Sequence, residues 1–226
     1  MPDNTLRQRD RMIVDFVVRY RLATNAIIGA QILPGRSLNA VAKVTARLCN
    51  IGLLKRYMLV PPENYFRAGA RAINVLGLPQ RSCESLGPQS LPIDYATLIY
   101  AMKPNAKRRR LTPEEVTEYM PWLPSELSHS PYCVDAKGNL DHLRVDLGGS
   151  PQHVARKVAA AAHDRLLVPQ IAELSSRSKF QLVVLTTGTE KANAIAKAIG
   201  NTDCSDQIRI RLAIVPRLSF LLLRSN

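Results

Sequence analysis

The sequence predicts an α+β region at the N-terminus, followed by an α/β region with a central mixed sheet. Apolar residues recur at helical spacing in three early segments, and two short strand patterns follow them. From Tyr132 onward, long helical patterns alternate with short apolar runs, which is typical of strands buried between helices. The segment between these regions is rich in Pro, Ser and Gly. We therefore expect domains at residues 1–78 and 95–226, joined by a linker at 79–94.

The N-terminal elements occur in an informative order. "RDRMIVDFVVRY" has the spacing of a first helix, and Thr24 is placed to cap a short second helix. After the breaker "LPGRS", a third helix is predicted from Leu38 to Asn50, and Gly52 is expected to end it. Its predicted inner stripe is Leu38, Val41, Val44 and Leu48. The segments "LLKRYMLV", "PPEN" and "YFRAG" predict a β-hairpin, and "GARAINVLGL" a closing helix. This order predicts a winged helix-turn-helix.

The charge of the chain favours an anionic partner. There are 31 Lys and Arg against 18 Asp and Glu, a net charge of +13, and residues 1–78 hold 12 of the basic residues against 4 acidic ones. No acidic residue lies between Gln31 and Pro62, so the basic face of the third helix has no local ion-pair partner. We expect this face to enter the major groove of duplex DNA. The predicted DNA contacts are Arg36, Ser37, Asn39, Lys43 and Arg47 at the third helix, and Lys55, Arg56 and Arg67 on the hairpin.

The second half of the chain reads as a sheet connected by helices. "YCVDAKGNLDHLRVDLGG" predicts two strands around a turn, and Ser150 then caps a long helix that has a kink at Pro169. "FQLVVLTTG" predicts a buried strand, and "TEKANAIAKAIG" a helix. "IRIRLAIVP" and "SFLLLR" predict two more strands.

Three segments resemble the replication-relaxation family of plasmid and mobile-element proteins: "RDRMIVDFVVRYRLATNAII", "VTARLCNIGLLKR" and "YFRAGARAINVLG". The resemblance implies a winged-helix DNA-binding domain with a role in replication, relaxation or transcription control on a mobile element. It also implies a second domain similar to the restriction-endonuclease fold. The positions of that fold's functional residues are held here by Asp141, by Asp146 with Gly148, and by Lys157. The chain departs from the family where a proline is missing beside Arg67.

An active nuclease is the enzymatic alternative to a binding protein. It would use Asp141 and Asp146 to hold Mg²⁺, with Lys157 near the scissile phosphate. Arg144 stands where the carboxylate of the motif's second pair is expected, with Asp146 two residues further on, and an arginine opposes cation binding. The sequence therefore favours a catalytically inactive nuclease-like domain with no metal site and no cofactor, and Mg²⁺ is expected only under the alternative. A third hypothesis is a scaffold whose winged helix binds protein.

The remaining sequence features concern the cellular compartment and further partners. Four widely spaced cysteines without a C-x-x-C pair predict free thiols in a reducing cytoplasm. No apolar run reaches the ~20 residues that span a bilayer, so no membrane partner is expected. "TTGTEK" lacks the phosphate-loop pattern, so no nucleotide cofactor is expected. A homodimer is one expectation, because winged-helix proteins often pair to read two half-sites. The leading hypothesis is a cytoplasmic, non-enzymatic protein that binds double-stranded DNA.

Overall fold

The computed structural model describes residues 7–104, 106–202 and 207–224. The chain divides into two compact units between Gly87 and Pro88. This boundary lies inside the segment 79–94 that the sequence analysis assigned to a linker. The protein has an α+β fold, and its larger sheet is a mixed sheet of five strands. Among the described residues, no helix combines the length and the apolar character needed to cross a bilayer.

The N-terminal unit contains three helices, a small antiparallel sheet and a closing helix. Its elements are α1 (Gln8–Tyr20), β1 (Ala23–Thr24), α2 (Asn25–Gln31), α3 (Leu38–Asn50), β2 (Leu54–Val60), β3 (Glu63–Ala68) and α4 (Ala70–Leu76). The strand order is β1-β3-β2. Hydroxyl caps start two of the helices, because Thr24 accepts a hydrogen bond from the amide of Ile27 and Ser37 accepts one from the amide of Ala40.

The core of this unit differs from the predicted stripe at one position. Val41 and Leu48 are fully buried, as a helix with one apolar face requires. Leu38, predicted to point inward, is 63% exposed. It is the first residue of α3 and belongs to the exposed stretch 34–39, so the core does not extend to it. The buried position one turn before Leu48 is taken by Thr45, whose hydroxyl donates to the Asn25 side chain at 2.8 Å.

Much of the predicted linker is ordered structure. Residues Gln80–Cys83 form a 3₁₀ turn, and Tyr57 donates a hydrogen bond to the carbonyl of Cys83. The amide of Leu86 donates to the hydroxyl of Tyr65 at 3.1 Å. These side chain–backbone bonds fasten residues 80–86 to the strands of the N-terminal unit. Ser90 already begins the first helix of the next unit, ahead of residue 95.

The C-terminal unit is built on the five-stranded sheet, with strand order β4-β5-β6-β7-β8. Its strands are β4 (Arg109–Arg110), β5 (Tyr132–Val134), β6 (Leu140–Val145), β7 (Phe180–Thr186) and β8 (Arg209–Ile214). Its helices are α5 (Ser90–Ala101), α6 (Pro113–Tyr119), α7 (Ser125–Ser128), α8 (Pro151–Leu166), α9 (Pro169–Ser176), α10 (Thr189–Ile199) and α11 (Leu218–Leu223). The pairs β4–β5 and β5–β6 are antiparallel, whereas β6–β7 and β7–β8 are parallel.

Two elements of this unit correct the sequence analysis. The predicted long helix is two helices, α8 and α9, since the chain leaves helical geometry before Pro169. "SFLLLR" was predicted as a strand, but it lies in helix α11. Leu218 and Leu221 are buried while Leu223 is 74% exposed, which is the three-residue spacing of a helix packed on one side.

Candidate functional site

The exposed side of α3 carries polar and small residues without an acidic one. Asn39, Lys43, Ala46 and Asn50 are all exposed and recur at helical spacing, so they share one face. Arg36 and Ser37 are exposed just before this helix. The Lys43 side chain forms no ion pair or hydrogen bond with any residue that the structure describes. This face is therefore free to meet a ligand.

The hairpin adds two cations at the start of β2. Lys55 and Arg56 are both exposed on this edge strand of the three-stranded sheet. The Lys55 ammonium lies 5.4 Å from the centroid of the Tyr57 ring, which is within cation–π range. Neither side chain has a carboxylate partner within the described ranges. Six of the eight predicted DNA contacts are thus exposed: Arg36, Ser37, Asn39, Lys43, Lys55 and Arg56.

Arg47 has an internal partner that the sequence analysis missed. Its guanidinium donates to the Asp10 carboxylate at 2.6 Å, and Arg9 donates to the same oxygen at 3.1 Å. Burial would raise the pKa of Asp10, but these hydrogen bonds outweigh it, so the pKa lies below its usual value. Asp10 belongs to α1, 37 residues away, so a search for nearby acidic residues could not find it. Arg47 joins α3 to α1 through this buried carboxylate.

Arg67 is not on the surface of the hairpin, so the prediction that it contacts DNA is wrong. It is 4% exposed and donates to the carbonyls of Ser82 and Arg81 at 3.2 and 2.9 Å. Its partner in the strand register, Lys55, is exposed. Arg67 instead fastens the ordered part of the predicted linker to β3.

Asp141 lies in the interior of the C-terminal unit and is held by three donors. Its carboxylate accepts hydrogen bonds from Tyr100 at 2.8 Å, Arg108 at 3.0 Å and Gln181 at 2.6 Å. The Arg108 guanidinium also lies 4.4 Å from the Tyr100 ring centroid. Burial and the Asp141 charge together raise the pKa of Tyr100, which keeps its hydroxyl protonated as a donor. Asp141 is therefore a satisfied structural anion.

Asp146 follows β6 directly and is held by a different set of residues. Lys191, in the first turn of α10, lies 2.8 and 3.0 Å from its two oxygens. The hydroxyl of Thr186 donates at 2.8 Å, and the amide of Gly148 donates at 3.0 Å. The cation paired with Asp146 is Lys191, which the sequence analysis did not single out. The sequence did contain a signal for this pair. The apolar strand β7 leads directly into a helix with a lysine in its first turn, and the earlier strand β6 is followed by an aspartate.

The nuclease constellation of Asp141, Asp146 and Lys157 is not brought together as one metal site. Asp141 is the second residue of β6 and Asp146 follows its last residue, five positions further on, so the alternation of side chains points the two aspartates to opposite faces of the sheet. Each already has an internal cation, Arg108 or Lys191. Across residues 7–104, 106–202 and 207–224, no cluster of three or more His, Cys, Asp or Glu side chains could hold a metal ion.

A cavity of about 330 Å³ opens where β6 ends. Its polar lining consists of His129, Ser130, Arg144, Asp146, His153 and Lys157. Lys157 thus lies at the same cavity as Asp146, while Asp141 does not line it. On β6, burial lowers the pKa of His142 well below its usual value, and the charges of Arg165 and Arg144 lower it further.

No protein-family model and no curated protein matches this chain.

Proposed function

We propose that the protein binds double-stranded DNA through a winged helix-turn-helix formed by its N-terminal unit. The order of α1, α2, α3 and a β2–β3 hairpin supports this proposal. In it α3 is the recognition helix and the hairpin is the wing. Asn39 and Lys43 face the bases or the groove edge, and Lys55 and Arg56 contact the phosphate backbone.

The observation that carries the proposal is an exposed set of cations without carboxylate partners. Arg36, Lys43 and Arg56 form no ion pair with the described residues. Binding a phosphate therefore breaks no internal ion pair, and each contact releases a condensed counterion from the DNA. Arg47 differs because its guanidinium already binds Asp10, so we assign it a structural role at the base of α3.

The shape of α3 suits the same role. Ala46 lies between the polar positions of the exposed face, so that face stays narrow. A major groove about 12 Å wide admits one helix, and asparagine side chains can pair with the edge of adenine. The exposed Asn39 and Asn50 supply such groups at the two ends of the face.

The resemblance to the replication-relaxation family extends the proposal to a biological role. We infer a regulator or accessory factor of replication, relaxation or transcription on a mobile element. For the second unit we infer a nuclease-like module without catalysis. Its support is that Asp141 and Asp146 are each neutralised by an internal cation, Arg108 or Lys191.

The proposal is tested with a fluorescent random-sequence duplex and the full chain. Four exposed cations, Arg36, Lys43, Lys55 and Arg56, predict a plot of log affinity against log salt with a slope of about −3 to −4. Lys43→Glu is expected to weaken binding by about tenfold or more, because it places a negative charge against phosphate. Arg81→Glu is the matched control, since Arg81 is exposed in the same unit but lies outside α3 and the hairpin.

The control separates a local contact from overall charge. Equal losses in Lys43→Glu and Arg81→Glu would show that net charge alone drives association, and α3 would lose its assigned role. An affinity for the duplex that does not fall with salt would argue against phosphate contacts and would favour a protein partner instead. Recovering the DNA on a denaturing gel after incubation with Mg²⁺ tests the nuclease alternative, and cleavage that Asp146→Ala abolishes would revive it.

A further inference from the structure

We propose that the cavity at the end of β6 binds a phosphomonoester group. The cavity lies in the C-terminal unit, so binding there is independent of DNA binding by α3. About 330 Å³ is at the small end of ligand pockets, which suits a phosphate group with part of the molecule that carries it.

Arg144 supplies the first reason. It lies on β6, lines the cavity and is half-buried, yet its guanidinium forms no hydrogen bond or ion pair with the described residues. Burial and the nearby charge of Arg165 lower the pKa of Arg144, and only the exposed Asp164 opposes this shift. A guanidinium has five donors in a planar fork, and those of Arg144 are available to an oxyanion in the cavity. A bound oxyanion would satisfy them.

Arg165 is a second cation without a carboxylate partner. It is 2% exposed, and its guanidinium donates to the carbonyl of Ala161 and, at 3.0 Å, to the hydroxyl of Ser130. Ser130 lines the cavity, so the buried charge reaches the cavity wall through one hydroxyl group. A buried cation is normally paired, and here no carboxylate within the described ranges provides the counter-charge.

The acidic side of the cavity is already neutralised. Asp146 is the only acidic residue among the described residues that line it, and Lys191 binds both of its oxygens. Arg144 and the exposed Lys157 also line the wall, and neither forms an ion pair with the described residues. Two cations at one wall match a dianion better than a monoanion, and arginine suits phosphate because its fork binds two oxygens at once.

A phosphomonoester can come from a free nucleotide or from the 5′ end of a DNA strand, and calorimetric titration of the full chain distinguishes them. The probes are inorganic phosphate, deoxyadenosine 5′-monophosphate, deoxyadenosine, and a short single strand with either a 5′-phosphate or a 5′-hydroxyl. We expect the monophosphate to bind and deoxyadenosine not to bind. Arg144→Ala and Lys157→Ala should each lower the affinity for the monophosphate by about tenfold or more. Arg156 is an exposed neighbour on α8 that does not line the cavity, so Arg156→Ala should change the affinity for the monophosphate less than about threefold.

Each outcome decides the proposal. If Arg144→Ala disturbs folding, Lys157→Ala still tests the proposal, because Lys157 is exposed and its replacement leaves the fold intact. Wild-type affinity in both variants, equal binding of deoxyadenosine, or no binding of phosphate and monophosphate would overturn it. An oligonucleotide that gains affinity from its 5′-phosphate only when Arg144 is present would identify the DNA end as the source. Binding of the free monophosphate alone would identify a nucleotide.

Discussion

Three basic residues of the N-terminal unit show how strongly surroundings decide the role of a side chain. Lys43 is exposed and has no ion-pair partner among the described residues, Arg47 binds a buried carboxylate, and Arg67 is buried against backbone carbonyls. From the sequence, all three are expected to contact DNA. Burial of a cation requires acceptors, and whether the chain supplies them depends on contacts between distant segments.

His142 is the residue with the clearest consequence for pH. It is fully buried on β6, neither ring nitrogen has a hydrogen-bond partner within the described ranges, and its ring centroid lies 5.2 Å from that of Tyr132. Burial, Arg165 and Arg144 hold its pKa well below the usual value of 6.5. In the unfolded state His142 therefore binds a proton near pH 6.5, whereas in the folded state it stays neutral at that pH.

We predict that the free energy of unfolding falls as the pH drops from 7 to 5, and that His142→Leu weakens this dependence. The stability contribution is present above the unfolded pKa and is lost as pH falls toward the folded pKa. One histidine supplies a slope of up to about 1.4 kcal/mol per pH unit. Urea titrations at several pH values measure it. His163→Leu, exposed on α8, should keep the wild-type slope. An unchanged slope in His142→Leu would contradict the prediction.

At the scale of elements, one close backbone contact joins the two chain segments at the base of the hairpin, just before β2 and just after β3. The amide of Gly69 donates to the carbonyl of Leu53 at 2.9 Å. A Cβ at this position would lie 2.2 Å from the carbonyl oxygen of Gly52. The obstruction is backbone rather than a flexible side chain, so it cannot move away cheaply.

Gly69→Ala is therefore predicted to destabilise the N-terminal unit by about 3 kcal/mol, as overpacking of a tight contact does. Urea unfolding followed by far-ultraviolet circular dichroism measures the loss. The matched control is Gly87→Ala in the same unit, where a Cβ meets nothing within 4 Å. If the two variants unfold at the same urea concentration, the contact between Gly69 and Gly52 is not a constraint on the hairpin.

At the scale of the molecule, two units with separate apolar cores predict separate unfolding. The single tryptophan, Trp122, packs against the core of the C-terminal unit, so its fluorescence reports that unit. Circular dichroism reports both units. Gly69→Ala should lower the midpoint of the dichroism transition that belongs to the N-terminal unit and leave the fluorescence midpoint unchanged. A fluorescence midpoint that shifts by the same amount would show that the chain unfolds as one cooperative body.

The sequence by itself determined the elements that depend on local pattern. Apolar spacing predicted α1 and α3, and Thr24 in a capping position predicted where α2 begins. It also predicted the hairpin and the mixed α/β character of the second half. Helix period, capping and turn chemistry act between residues a few positions apart, so a single sequence contains them.

Only the tertiary structure decided which charged groups meet. Arg47 with Asp10, Arg108 with Asp141 and Lys191 with Asp146 join residues that lie 33 to 45 positions apart in the sequence. It also decided that Arg67 is buried, that Leu38 is exposed and that "SFLLLR" lies in a helix. The physical reason is that the free energy of a charge or an apolar side chain depends on burial and on its partners. Chain packing sets both, and no window along the sequence contains them.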